Sequence, residues 1–189
     1  MRGIRFYASP QFLLFAAVLF FFDSTGLVSA AVPAIAVHEL GHVAALHLCG
    51  CKIRKFDMRI RAFSMDYSGH LTTGQEIFAA AAGPMAGMIF AAAAHCMGQV
   101  ADSEFLLCTA DISLILSLFN ILPAMPLDGG RIFVCLLGPR RTLYSTTAVA
   151  CILMCAGLFL LARGYGAAML ISGGWLTLYS CKMYEDVVK

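Results

Sequence analysis

Residues 26–49, GLVSAAVPAIAVHELGHVAALHLC, form an apolar stretch interrupted late in its course by His38, Glu39 and His42. At about 1.5 Å per residue such a helix is long enough to cross a hydrocarbon core of about 30 Å. Ionisable side chains inside a span are costly, and where they occur they usually mark a functional site. Four residues on a helix turn through about 400°, so the His38 and His42 imidazoles share one face. Both can then reach a single ion, with Glu39 beside a bound water, which is the arrangement of an H-E-x-x-H zinc site. Zinc brings the pKa of that water towards neutrality, and Glu39 is placed to accept its proton and pass it to a leaving amine. A polar helix face satisfied by its neighbours accounts less well for this combination of residues.

The rest of the chain has the composition of a membrane protein. Of 189 residues, 60% are hydrophobic and 13% charged, whereas soluble domains carry about 25% charged residues. A net charge of +2 gives no reason to expect a nucleic-acid partner. The partner implied by composition is the lipid bilayer. Apolar segments near 8–23, 26–49, 75–97, 104–122, 144–162 and 165–181 predict about six transmembrane helices in an all-α polytopic fold. The expected organisation is one membrane domain over 1–189.

Placing the N-terminus in the cytoplasm puts Arg2, Arg5, Lys52, Arg54, Lys55, Arg59, Arg61, Arg131, Arg140, Arg141, Lys182 and Lys189 on one side. Only Arg163 falls on the other, whose 98–104 loop carries Asp102 and Glu104. This positive-inside bias predicts a multi-pass protein with both termini cytoplasmic. The first apolar segment, followed by Val28-Ser29-Ala30, has some likeness to a signal peptide. Asp23 to Gly26 separates its core from that site, and the segment is expected to remain as a span. The eight cysteines sit in or at the ends of apolar spans without a CxxC pair, a pattern of small apolar packing rather than of a disulfide framework.

Between the second and third spans, 52–73 alternates with period two: Phe56, Met58, Ile60 and Ala62 are apolar, and the phase then flips to Phe63, Met65 and Tyr67. A short amphipathic β-hairpin with a tight reversal or bulge is expected at the cytoplasmic membrane surface. It can cap the bundle, offer an edge strand to an extended substrate, or do both. In the third span, Gly83-Pro84-Met85-Ala86-Gly87 predicts close helix packing through Gly83 and Gly87, with Pro84 inviting a kink.

Catalytic zinc sites commonly take three protein ligands and leave a position for water. His47 lies about 140° around the helix from His42 and faces away. His95 falls near the opposite end of its span, and His70 is in the hairpin segment. Two carboxylates then compete: Asp111 in the middle of the fourth span, and Asp128 in Asn120-Ile-Leu-Pro-Ala-Met-Pro-Leu-Asp-Gly-Gly-Arg131. The second stretch reads either as a broken helix lining a cavity or as an ordinary turn with Asp-Gly-Gly at its tip.

The pair HELGH and NILPAMPLDGG, with Ala82-Gly83-Pro84 following a strand-like segment, resembles the site-2 protease family of intramembrane zinc metalloproteases. The likeness is strongest to the branch that includes the sporulation factor-processing protease. That resemblance implies Zn²⁺ held by His38, His42 and Asp128, with Glu39 as general base. It also implies that Asn120 contacts the substrate backbone or the developing oxyanion. The implied function is peptide-bond hydrolysis in transmembrane substrates near the cytoplasmic face, in regulated intramembrane proteolysis. The implied setting is a bacterial cell membrane, with single-span regulators or membrane-bound transcription factor precursors as substrates and a regulatory membrane partner. Neither an inserted PDZ-like domain nor a C-terminal regulatory domain of the kind found in some relatives is expected. The rival readings are a non-proteolytic metal-binding protein or transporter, an idle scaffold, and a protease of lipidated peptides. A pure binding site has no use for a carboxylate at Glu39, and a transporter would favour two pseudo-repeated halves.

Overall fold

A computed structural model describes residues 5–59 and 62–188. Residues 1–4, 60, 61 and 189, among them the basic residues Arg2, Arg61 and Lys189, lie outside that description. The elements run β1 (Arg5–Ala8), α1 (Pro10–Phe21), α2 (Leu27–Leu48), β2 (Lys52–Arg59), β3 (Ala62–Ser68), α3 (Thr73–Ala101), α4 (Glu104–Ile121), α5 (Asp128–Leu137), α6 (Pro139–Ala162) and α7 (Ala168–Val188). Two compact units result, Met1–Ser117 and Leu118–Lys189, with α4 continuous across the boundary.

By length and composition α2, α3, α4 and α6 are each able to span a membrane. Large apolar side chains such as Ile89, Val100, Ile115 and Ile152 stand exposed along these helices. In water that surface would be an aggregation hazard, and in lipid it is the normal exterior. The chain is a multi-pass integral membrane protein. Six expected spans correspond to six helices, of which α1 is 12 residues long and α7 carries Lys182, Glu185 and Asp186 near its end.

Local chemistry sets the helix starts. Pro10 and Pro139 open α1 and α6, where a missing N–H costs nothing and the fixed φ suits a first turn. Thr72 and Gln75 form a reciprocal capping box at the start of α3. Helix α2 follows Gly26, which has no side chain to cap it; the Asp23 carboxylate instead accepts from Val28 N–H at 3.0 Å and Ser29 N–H at 3.1 Å. Desolvation pushes this carboxyl upward, but the donors from Ser29, Val28, Thr25 and Leu27 outweigh it and hold its pKa below the ordinary value.

Within the first unit, α2 and α3 pack through small residues. Ala34, Ala45, Ala79 and Ala80 are buried, and a Cβ on Gly41 would stand 2.6 Å from the Ala82 carbonyl oxygen and 2.8 Å from the Ala86 methyl. Without the hydrophobic effect between helices in lipid, this close backbone approach is the main source of attraction. Pro84 lies within α3, which runs as one helix from Thr73 to Ala101. Helix α4 packs on α3 next to its contact with α2, one turn beyond Gly83, where the Ser113 hydroxyl donates to the Gly87 carbonyl at 2.9 Å.

The expected hairpin is present. β2 and β3 pair antiparallel, with Phe56 opposite Met65 and Met58 opposite Phe63, and the register shifts between Ile53 and Lys55. β1, which local pattern did not predict, pairs parallel with β2 from Arg5 opposite Lys55 to Ala8 opposite Met58. The sheet order β1-β2-β3 leaves β3 at an edge.

In the second unit, α6 and α7 form an antiparallel pair. Thr147 and Ser180 hydroxyls meet at 2.7 Å. Further along, Gly173 lies against Met154 and Gly157 against Leu170, each position stepping forward on one helix and back on the other. Ala124, Leu127, Ala150 and Leu176 form the buried apolar cluster of this unit.

Candidate metal centre

His38 and His42 are both buried on the face of α2. Their Nε2 atoms are 3.3 Å apart and the rings meet edge to face, 5.0 Å between centroids. Two nitrogens bound at 2.0–2.1 Å to one tetrahedral zinc are about 3.3–3.4 Å apart. The observed pair therefore has the spacing that one ion requires.

The tautomer of His42 follows from its neighbour. Its Nδ1 lies 2.7 Å from the Ala79 carbonyl oxygen of α3. A carbonyl only accepts, so Nδ1 carries the proton and donates, which leaves the Nε2 lone pair for a metal. Gly83, one helical turn beyond Ala79, is the surface on which this ring rests. A Cβ at Gly83 would run into the His42 Nε2 atom, with Cε1 at 2.5 Å and Cδ2 at 2.7 Å. The sequence marks Gly83 as a packing residue; the close approach it permits is to the imidazole as well as to a neighbouring helix.

Asp128 is also buried and is the first residue of α5, following the extended Leu127. The Pro-rich segment before it is compact. Ala124 is fully buried, and the Met125 N–H donates to the Thr146 hydroxyl of α6 at 3.0 Å. Gly129 and Gly130 have no positive φ; their need for glycine is spatial. A Cβ on Gly129 would collide with the Ile121 carbonyl and come within 2.5 Å of the Leu122 oxygen, and one on Gly130 would stand 2.5 Å from both the Ala124 oxygen and the Met125 nitrogen. The first turn of α5 lies directly against backbone 121–125, and any side chain there would displace Asp128. Arg131 Nη1 lies 3.7 Å from the Asp128 carboxylate, too far for a hydrogen bond.

One ligand atom from each of His38, His42 and Asp128 lies within 4.8 Å of the others, and all three residues are buried. This group can hold a metal ion. Among the described residues Asp111 is not part of such a group; it is exposed, as are His47, His70 and His95. Glu39 is half-buried, next to His38 on α2, and Asn120 is half-buried one residue before the end of α4.

Residues 94–163 match the model of peptidase family M50. The structure is similar to that of the site-2 protease from Methanocaldococcus jannaschii, with a TM-score of 0.71 and 21% identity over 97% of this chain and 92% of that one. The chain has the site-2 protease fold. The segment 94–163 that is similar to peptidase family M50 includes the Asn120 to Arg131 stretch. No curated protein sequence matches the chain.

Proposed function

We propose that this chain is an intramembrane zinc endopeptidase that hydrolyses peptide bonds of transmembrane proteins near the cytoplasmic face, with both termini cytoplasmic. His38, His42 and Asp128 are the ligands and Glu39 is the general base. The observation that carries the reading is the buried His38–His42 pair at 3.3 Å, with Asp128 within reach of it. Zinc held there would lower the pKa of a water and polarise the scissile carbonyl.

The chain's own residues supply the rest. The Glu39 carboxylate takes a proton from the attacking water as its oxygen bonds to the carbonyl carbon. As the C–N bond breaks, Glu39 returns the proton to the departing nitrogen, so the two products leave as acid and amine. The Asn120 amide would serve as donor to the developing oxyanion or as partner to the substrate backbone.

A substrate helix presents no free amides, so a stretch must unwind before it is cut. The outer edge of β3 would pair with that stretch by strand addition and offset part of the cost. Substrates with helix-weakening residues near the cytoplasmic end of their span are favoured. Single-span regulators and membrane-bound transcription factor precursors fit that description, in the setting of a bacterial membrane and with a regulatory membrane partner.

The test is cleavage of a panel of single-span membrane proteins by the purified chain in bilayers, with cut sites mapped by mass spectrometry. Cuts should fall in the cytoplasmic third of the span, stop on treatment with a zinc chelator and resume when zinc is restored. Cuts at the outer face, or cutting that survives the chelator, would contradict the reading.

A further inference from the structure

Asp111 takes no part in the proposed chemistry, yet its position is unusual. It stands in α4 about 10 Å from the Glu104 end and about 15 Å from the Ile121 end, at depths a bilayer core would cover. One face of α4 buries Thr109, Ala110, Ser113 and Ser117, and through Ser113 and Ser117 it packs on α3 at Gly87. Asp111 lies on the other face, exposed, with Leu114, Ile115 and Leu118, which are 43%, 66% and 54% exposed. Among the described residues no side chain pairs with its carboxyl.

A carboxylate turned towards acyl chains is costly and is normally retained only with a partner of complementary chemistry. A second copy of this chain would bring no lysine or arginine to that depth, only the imidazole of His95, which lies about 9 Å from the Ala101 end of α3. Helices α2, α3 and α4 contain no Lys or Arg, those of α6 are confined to its first turn, and Lys182 lies in the last third of α7.

We propose that the Asp111 face of α4 docks the transmembrane helix of a different membrane protein, one carrying a lysine or arginine in mid-span. The apolar residues around Asp111 supply packing, and the ion pair, strengthened by the low dielectric, supplies specificity. This surface is distinct from the metal group and does not depend on the chain being a protease.

The test uses the full-length chain, fluorescently labelled, in phosphatidylcholine bilayers with synthetic leucine–alanine spans. One probe has a single central lysine and its match has leucine there. The lysine probe should associate about 5- to 30-fold more tightly. Asp111→Leu should abolish the preference, and Asp111→Asn, which keeps size and hydrogen bonding, should lose most of it without disturbing the fold. Asp111→Lys should transfer the preference to a probe with central aspartate. Equal binding of the two probes to wild type, or a lysine preference that survives Asp111→Leu, would overturn the proposal. So would energy transfer between two wild-type copies that Asp111→Leu abolishes, since a second copy would then be the occupant.

Discussion

Glu39→Gln should reduce cleavage by about 10²- to 10⁴-fold, the range usual for loss of a general acid–base group, while leaving the zinc content of the protein unchanged. The amide has nearly the size of the carboxylate, so the half-buried position beside His38 is filled as before. What it lacks is the ability to take a proton at neutral pH. The two readouts together separate roles: a ligand variant such as His42→Ala would lose metal and activity, whereas loss of a base removes turnover alone. Retention of cleavage within a few-fold of wild type would remove Glu39 from the mechanism and favour a binding or scaffold protein.

A change at a residue with no side chain should be nearly as damaging. Gly83→Ala is expected to weaken zinc binding by about 10- to 100-fold, the cost typical of disturbing a group that orients a ligand. The new methyl would occupy the space of the His42 ring. Moving the ring also strains the bond from Nδ1–H to the Ala79 carbonyl, which fixes the tautomer. Gly74→Ala in the first turn of the same helix is the control, because a Cβ there meets nothing within 4 Å. It should leave metal affinity at the wild-type level and gain a little helix stability. Wild-type affinity in Gly83→Ala would show that the ring has room to move and that the glycine serves packing alone.

Much of this was legible in the sequence because its strongest signals are local. Apolar length marks the spans, and four-residue spacing puts His38 and His42 on one face. The alternation around Phe56 and Met65 announces the hairpin. Other features depend on contacts far apart in the chain. β1 is four residues, Arg5–Ala8, too short to declare itself, and it exists by pairing with a strand some 50 positions later. Helix α5 begins with Asp128-Gly129-Gly130, which local propensity reads as a turn. The glycines are there because backbone 121–125 lies against them, a tertiary demand that no window of sequence displays. The same holds for Gly83, whose partner is an imidazole on another helix. Between Asp111 and Asp128 the residue types are identical and only the resemblance to the site-2 proteases pointed one way; burial separates them, since Asp128 is enclosed and Asp111 exposed.

In the proposed centre, two helix-borne imidazoles and the carboxylate that opens α5 share one ion. Metal analysis of the purified chain, beside Asp128→Ala and Asp111→Ala, tests it most directly. One zinc per wild-type chain, retained in Asp111→Ala and lost or greatly weakened in Asp128→Ala, is the predicted result. A wild-type protein without stoichiometric zinc after loading, or an Asp128→Ala protein that binds it as tightly as wild type, would contradict the account.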